Sequence, residues 1–157
     1  MAASRPYRVA RMREMLTAFA PLEAGFGFHG LASAQMFAEL RLAYMHGLYL
    51  STVLLVLGCL EHELAGALYA AGWDKAASAR LEALVAESER RGFITVAEAA
   101  AFNRLRATRN AHAHFRAPGS RSTLMRRMVD DDQEPHALLQ SDARLAIGVL
   151  GSYLARR

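Results

Sequence analysis

One cysteine, Cys59, in 157 residues excludes an intrachain disulfide and leaves no cysteine cluster to hold a metal. It sits in an apolar run and reads as a small buried hydrophobe. Lysine is nearly absent: Lys75 stands alone among 19 basic residues, the rest being arginine. Arginine forks phosphate and stacks on bases better than lysine, so a net charge of +4 carried this way is compatible with a nucleic-acid partner. GC-rich coding produces the same bias, and the charge alone selects no function. Proline is scarce, with four in the chain, and no period-two alternation of useful length appears, which argues against a sheet. The most apolar run, Leu48 to Leu60, has 13 residues, and a membrane-spanning helix needs about 20. That predicts a buried helix and no membrane partner. Four arginines fall within the first 13 residues and no continuous apolar stretch follows. The expectation is therefore no export signal and a cytoplasmic protein.

What is present suits one helical domain over residues 1–157. Apolar residues make up 53 % and charged residues 22 %, an ordinary globular balance with enough apolar mass for a substantial core. A first helix is predicted over Arg8 to Phe19, before Pro21. Leu22 to Gly30 holds three glycines and reads as a loop, pinned to the core by Phe26 and Phe28. Ser33 to Ala71 lacks proline and places Met36, Leu40, Tyr44 and Leu48 at helical spacing. It reads as one long helix or as two, with a bend near Gly47 or a break near Gly58. Lys75 to Arg91 follows, with Leu81, Leu84 and Val85 on one face and Gly92 as the stop.

The sharpest local signal comes next. Thr95 and Glu98 form a capping box, and Ile94 is placed for a hydrophobic staple. The helix they start runs through Phe102, Leu105 and Arg109 to at least His112, and Pro118-Gly119 ends it. A short helix is predicted around Leu124 to Val129. A closing amphipathic helix is predicted over Asp142 to Leu154, with Leu145, Val149 and Tyr153 as its stripe. The sum is an all-α, up-and-down helical bundle.

The late segment Leu105 to Phe115, LRATRNAHAHF, is the candidate site. Asn110 and His114 lie four apart on one helical face, and Arg106 lies one turn before Asn110. Arg109 and His112 are adjacent at three apart. Arg109 and His114 are about 140° apart on a straight helix, so they converge only if the helix bends, ends or meets a second surface. Phosphodiester cleavage needs a proton carrier near neutral pH, which histidine supplies, and a fixed cation on the oxygens that gain charge, which arginine supplies. The plainer reading is a polar last turn interacting with the helix dipole, and spacing alone leaves both open.

The segment resembles the signature of HEPN domains, in which an arginine is followed, after four to six residues, by a histidine, often with a polar residue directly after the arginine. Arg109, Asn110 and His114 match that pattern. The context is also similar: Gly92-Phe93-Ile94-Thr95 and Glu98 before the helix, and Leu60-Glu61-His62-Glu63-Leu64 ending an earlier apolar helix. The likeness covers about residues 33–115. No family counterpart is seen for the Arg8 to Phe19 helix or for Arg121 to Glu134, and His112 is an extra histidine inside the motif.

The resemblance implies a metal-independent endoribonuclease without a cofactor. It implies a homodimer in which two Arg-His motifs meet, and attack by the ribose 2′-OH to leave a 2′,3′-cyclic phosphate. It gives Arg109, His114 and Asn110 as catalytic residues, with Glu61 as the acid facing them and Glu63 as its competitor for that place. Arg104, Arg106, His112 and Arg116 are the expected RNA contacts. The family implies a toxin–antitoxin or defence setting, with a nucleotidyltransferase-type antitoxin as partner. The alternative is a non-catalytic HEPN-like module that binds nucleic acid, a nucleotide or a protein. A metalloenzyme using His112, His114 and one of Asp130, Asp131 or Asp132 ranks below both, because histidines two apart on a helix point to different faces. His29, His46 and His62 read as surface or hydrogen-bonded residues, and Tyr44, Tyr49 and Tyr69 as packing.

Overall fold

Val53, Val56, Leu57, Leu60 and Leu64, all from or next to the most apolar run of the sequence, are at most 1 % exposed, and the other helices are arranged around them. The computed structural model describes residues 4–20, 22, 27–113, 117, 120 and 123–156. Over these residues the chain is an all-α, up-and-down bundle of seven α-helices with no strand. They are α1 (Arg5–Phe19), α2 (Leu31–Met45), α3 (Tyr49–Ala70), α4 (Leu81–Arg90), α5 (Val96–Ala113), α6 (Leu124–Asp131) and α7 (Pro135–Leu154), with a 3-10 turn over Asp74–Ser78 before α4. α3 is central and packs against α2, α4, α5, α7 and the 3-10 turn.

The long proline-free stretch divides at Gly47, which takes φ 76, a left-handed conformation that glycine adopts without a Cβ clash. The corner is closed by a residue from α1. Buried Arg11 donates from Nε and Nη2 to Met45 O, at 3.0 and 2.9 Å, and from Nη1 to the Tyr49 hydroxyl at 3.3 Å. A role for the first helix is thus to satisfy the last carbonyl of α2. Gly58 does not break α3. A Cβ there would lie 2.8 Å from Met36 Sδ, so its lack of a side chain lets α2 approach closely.

Several expectations need correction. α3 is 22 residues long, well beyond the 13-residue apolar run, and is long and apolar enough to cross a membrane by length and composition; 44 % of its apolar 18-residue stretch is buried inside the bundle. The Lys75 to Arg91 helix is split into the 3-10 turn and α4 by extended Ala79 and Arg80. α7 starts seven residues earlier than expected, at Pro135, where proline's missing N–H costs nothing. Its buried residues are Leu138, Asp142, Ala143, Ala146, Ile147, Leu150, Gly151, Tyr153 and Leu154; of the expected stripe Tyr153 is buried and Val149 partly buried, whereas Leu145 is exposed. Tyr69 is exposed and Leu48 largely so, whereas Tyr44 and Tyr49 are core residues. Phe28 packs against Phe37 at the core's edge; Phe26 lies outside the described residues.

Candidate functional site

α5 carries the site because its start is fixed. Thr95 N and Oγ1 both donate to Glu98 Oε2, at 2.8 and 2.9 Å, and Glu98 N donates back to Thr95 Oγ1 at 3.2 Å. This is the reciprocal capping box, with Ile94 and Ala99 both buried beside it. No glycine or proline interrupts the chain from Val96 to Ala113. Phe102 and Leu105 are fully buried and set which face of α5 meets the bundle.

Arg109 lies seven residues after Phe102, so it continues the inward stripe past the end of the apolar core. There it meets Glu61 of α3, Nη2 to Oε2 at 3.9 Å, with 28 % and 38 % of the two side chains exposed. A pair this long and this open is worth about 0–1 kcal/mol. An incoming phosphate can therefore take the guanidinium from the carboxylate at little cost. Asn110 is half-buried beside it. Arg104 is exposed, and Arg106 is held by Glu82 of α4 at 2.7 Å. His114 and Arg116 lie outside the described residues.

The neighbouring acid, Glu63, is turned away from Arg109. It is fully buried and accepts from Ser33 Oγ at 2.6 Å and from His29 N at 3.0 Å, with His29 Nδ1 at 3.1 Å. The two carboxylates of Glu61-His62-Glu63 therefore do different work: Glu61 faces the arginine, and Glu63 anchors residues 29–33 to α3. His62 is exposed. Burial and the charge of Glu63 push the Cys59 thiol up to about 12, and Cys59 Sγ lies 3.7 Å from Ser33 O.

His112 occupies a place at odds with a direct RNA contact. Its side chain is 5 % exposed, and Nε2 lies 3.3 Å from Asp142 Oδ2. Arg127 of α6 forks the same carboxylate, Nη1 to Oδ2 at 2.7 Å and Nη2 to Oδ1 at 2.9 Å. Burial pushes the Asp142 carboxyl up, but the hydrogen bonds from His112 and Arg127 and their charges outweigh it and hold it below the ordinary aspartate value. An ionised carboxylate only accepts, so His112 Nε2 carries the hydrogen.

Sequence reasoning missed Asp142 and Arg127. A signal was present: Asp142 stands four after Leu138 and four before Ala146, an acid inside an otherwise apolar stripe. Such a residue is buried at high cost unless paired. The acidic run before α7 joins no cluster with His112. Asp130 pairs with Arg126 at 2.9 Å, and among the described residues no group of three or more His, Cys, Asp or Glu could hold a metal ion.

An open cleft begins at Glu61 and runs past His62 and Tyr69 towards the 3-10 turn. Comparison with known proteins finds no matching family model, no matching curated protein and no matching solved structure.

Proposed function

We propose that the chain is a metal-independent endoribonuclease of the HEPN type. It works as a cytoplasmic homodimer in a toxin–antitoxin or defence pair whose other member is a nucleotidyltransferase-type antitoxin. The observation that carries the reading is the Arg109–Glu61 pair at the exposed end of α5: a fixed cation, aimed by the helix face and only weakly held, in the motif Arg-Asn-x-x-x-His.

In this reading Arg109 takes the scissile phosphate and stabilises its added charge. Glu61 keeps the guanidinium oriented until RNA arrives. The ribose 2′-OH attacks phosphorus, and the bond from phosphorus to the 5′-oxygen breaks. His114 removes the attacking proton or protonates the departing oxygen, leaving a 2′,3′-cyclic phosphate and a 5′-hydroxyl. Asn110 orients the histidine or the phosphate, and Arg104 and Arg116 draw the backbone in. Arg106 already has Glu82 as a partner, so its share is smaller. Helical spacing leaves Arg109 and His114 on different faces, and a second chain supplies the complementary member of each pair.

The test is cleavage of a mixed single-stranded and structured RNA pool by wild type, Arg109→Ala and His114→Ala, in excess EDTA, with product ends mapped. Cyclic-phosphate ends from wild type alone are the expected result. Cleavage by clean His114→Ala protein sinks the assignment, and loss of wild-type activity in EDTA points to a metal instead. Stoichiometric RNA binding without cleavage by any form would make the chain a binding module.

A further inference from the structure

One carboxylate holds both ends of the chain segment that bears His114 and Arg116. His112 lies just before that segment and Arg127 just after it, with 14 residues between them, and both are bonded to Asp142 of α7. Oδ2 serves His112 and Arg127 together, and Oδ1 serves Arg127. The side chains of His112 and Asp142 are 5 % and 9 % exposed, which keeps water from competing for these bonds.

Among the described residues, no apolar burial anchors α6 and only the weak Arg109–Glu61 pair adds to His112 at the end of α5. α6 has no buried residue, and its Met125 and Val129 are exposed, so apolar burial does not hold it in place. The Arg127 fork is what ties α6 to α7. At the other end, the last turn of a helix has unsatisfied carbonyls and frays readily. Arg109 meets α3 and His112 meets α7, about 60° apart around the helix. Two contacts from two different helices fix both the rotation and the position of that turn.

We propose that Asp142 is a positioning residue: it clips His112 and Arg127 together and so sets the place of Arg109 and of the last turn of α5. The inference rests on the ribonuclease reading for its catalytic consequence, but not for the clip itself. His112 in this role orients the chain and carries no proton to or from RNA.

The experiment is hydrogen exchange of the full-length chain, wild type against Asp142→Asn, beside steady-state RNA cleavage. Exchange of the amides of 109–113 and of α6 should rise about tenfold or more, with α3 unchanged. kcat should fall about tenfold to a hundredfold while KM stays within about twofold, since a group displaced by an ångström loses rate more than binding. Unchanged exchange over 109–113 overturns the clip, whatever the cleavage result. Raised exchange with wild-type kcat overturns the positioning role. If wild type itself does not cleave, the ribonuclease reading fails and the exchange result alone decides the clip. Should Asp142→Asn unfold the whole chain, Arg127→Lys keeps the charge and loses the fork, and the same two readouts apply. His112→Gln retains an N–H donor towards Asp142 and should restore exchange and turnover relative to His112→Ala. Equal loss of turnover in both, with normal exchange in the Gln variant, overturns the proposal in favour of proton transfer by His112.

Discussion

Replacing Glu63 with alanine removes the acceptor that joins residues 29–33 to α3. The His29 backbone N–H, 3.0 Å from Oε1, loses that bond, and because His29 is exposed and water can replace the carboxylate the cost is about 0.5–1.5 kcal/mol. Ser33 loses less, because its hydroxyl also lies 3.0 Å from Gly30 O. One buried methylene goes as well, at about 0.8 kcal/mol. Release of a buried carboxylate from its desolvation cost offsets part of this. The net is about 1–3 kcal/mol, which for a chain of this length lowers Tm by roughly 2–12 °C. Glu63→Gln keeps the size and the Oε1 acceptor for Ser33 Oγ and the His29 N–H, so its cost should stay within about 1 kcal/mol. Thermal and urea melts followed by far-UV circular dichroism give both values. An alanine variant within about 0.5 kcal/mol of wild type, or a glutamine variant as costly as alanine, would refute the view that this carboxylate acts as an acceptor hub.

Three further outcomes test other parts of the structure. Gly151→Ala places a Cβ 2.3 Å from Ala18 O, a backbone atom that cannot swing away, so α1 and α7 must separate at a cost of about 1–3 kcal/mol, readable as a lower denaturant midpoint. Cys59, buried and with its thiol pushed up to about 12, should resist alkylation by iodoacetamide at pH 8 in the folded chain and react at once in denaturant; rapid labelling of the native protein would contradict its placement. Asp142 has a folded-state pKa below its ordinary value, so its ionised bonds add stability above that ordinary value, and this is lost as pH falls through the lowered folded value. Asp142→Asn should therefore flatten the acid limb of the stability profile below about pH 4, and a variant curve parallel to wild type there would argue against the ion pairs.

Local signals account for a good part of this fold. The Thr95–Glu98 capping box, the helix it starts and the Leu81, Leu84, Val85 face depend on residues within a turn or two of each other, and each is legible in the sequence. So is the apolar centre of α3. The choice of Gly47 over Gly58 as the break is not, because a glycine's tolerance of a helix depends on what packs against it. Met36 crowds Gly58, and Arg11 closes the corner at Gly47 by bonding to Met45, 34 residues away. The buried face of α7 departs from the expected stripe at Leu145 for a related reason: spacing by four marks several stripes on an apolar helix, and only the neighbours decide which one faces inward.

For the site, the sequence alone determined the residue types and their order along α5, and so a motif with a chemistry attached. Which acid faces Arg109 was decided by tertiary structure, since Glu61 and Glu63 are two apart and point to different sides of α3. The burial of His112, and the carboxylate that holds it, were also decided there. Asp142 is 30 residues away in the chain and reaches His112 only because α5 and α7 pack against each other. Local pattern follows from the backbone's own periodicity, whereas pairings between distant charged groups follow from which helix faces the bundle turns towards one another.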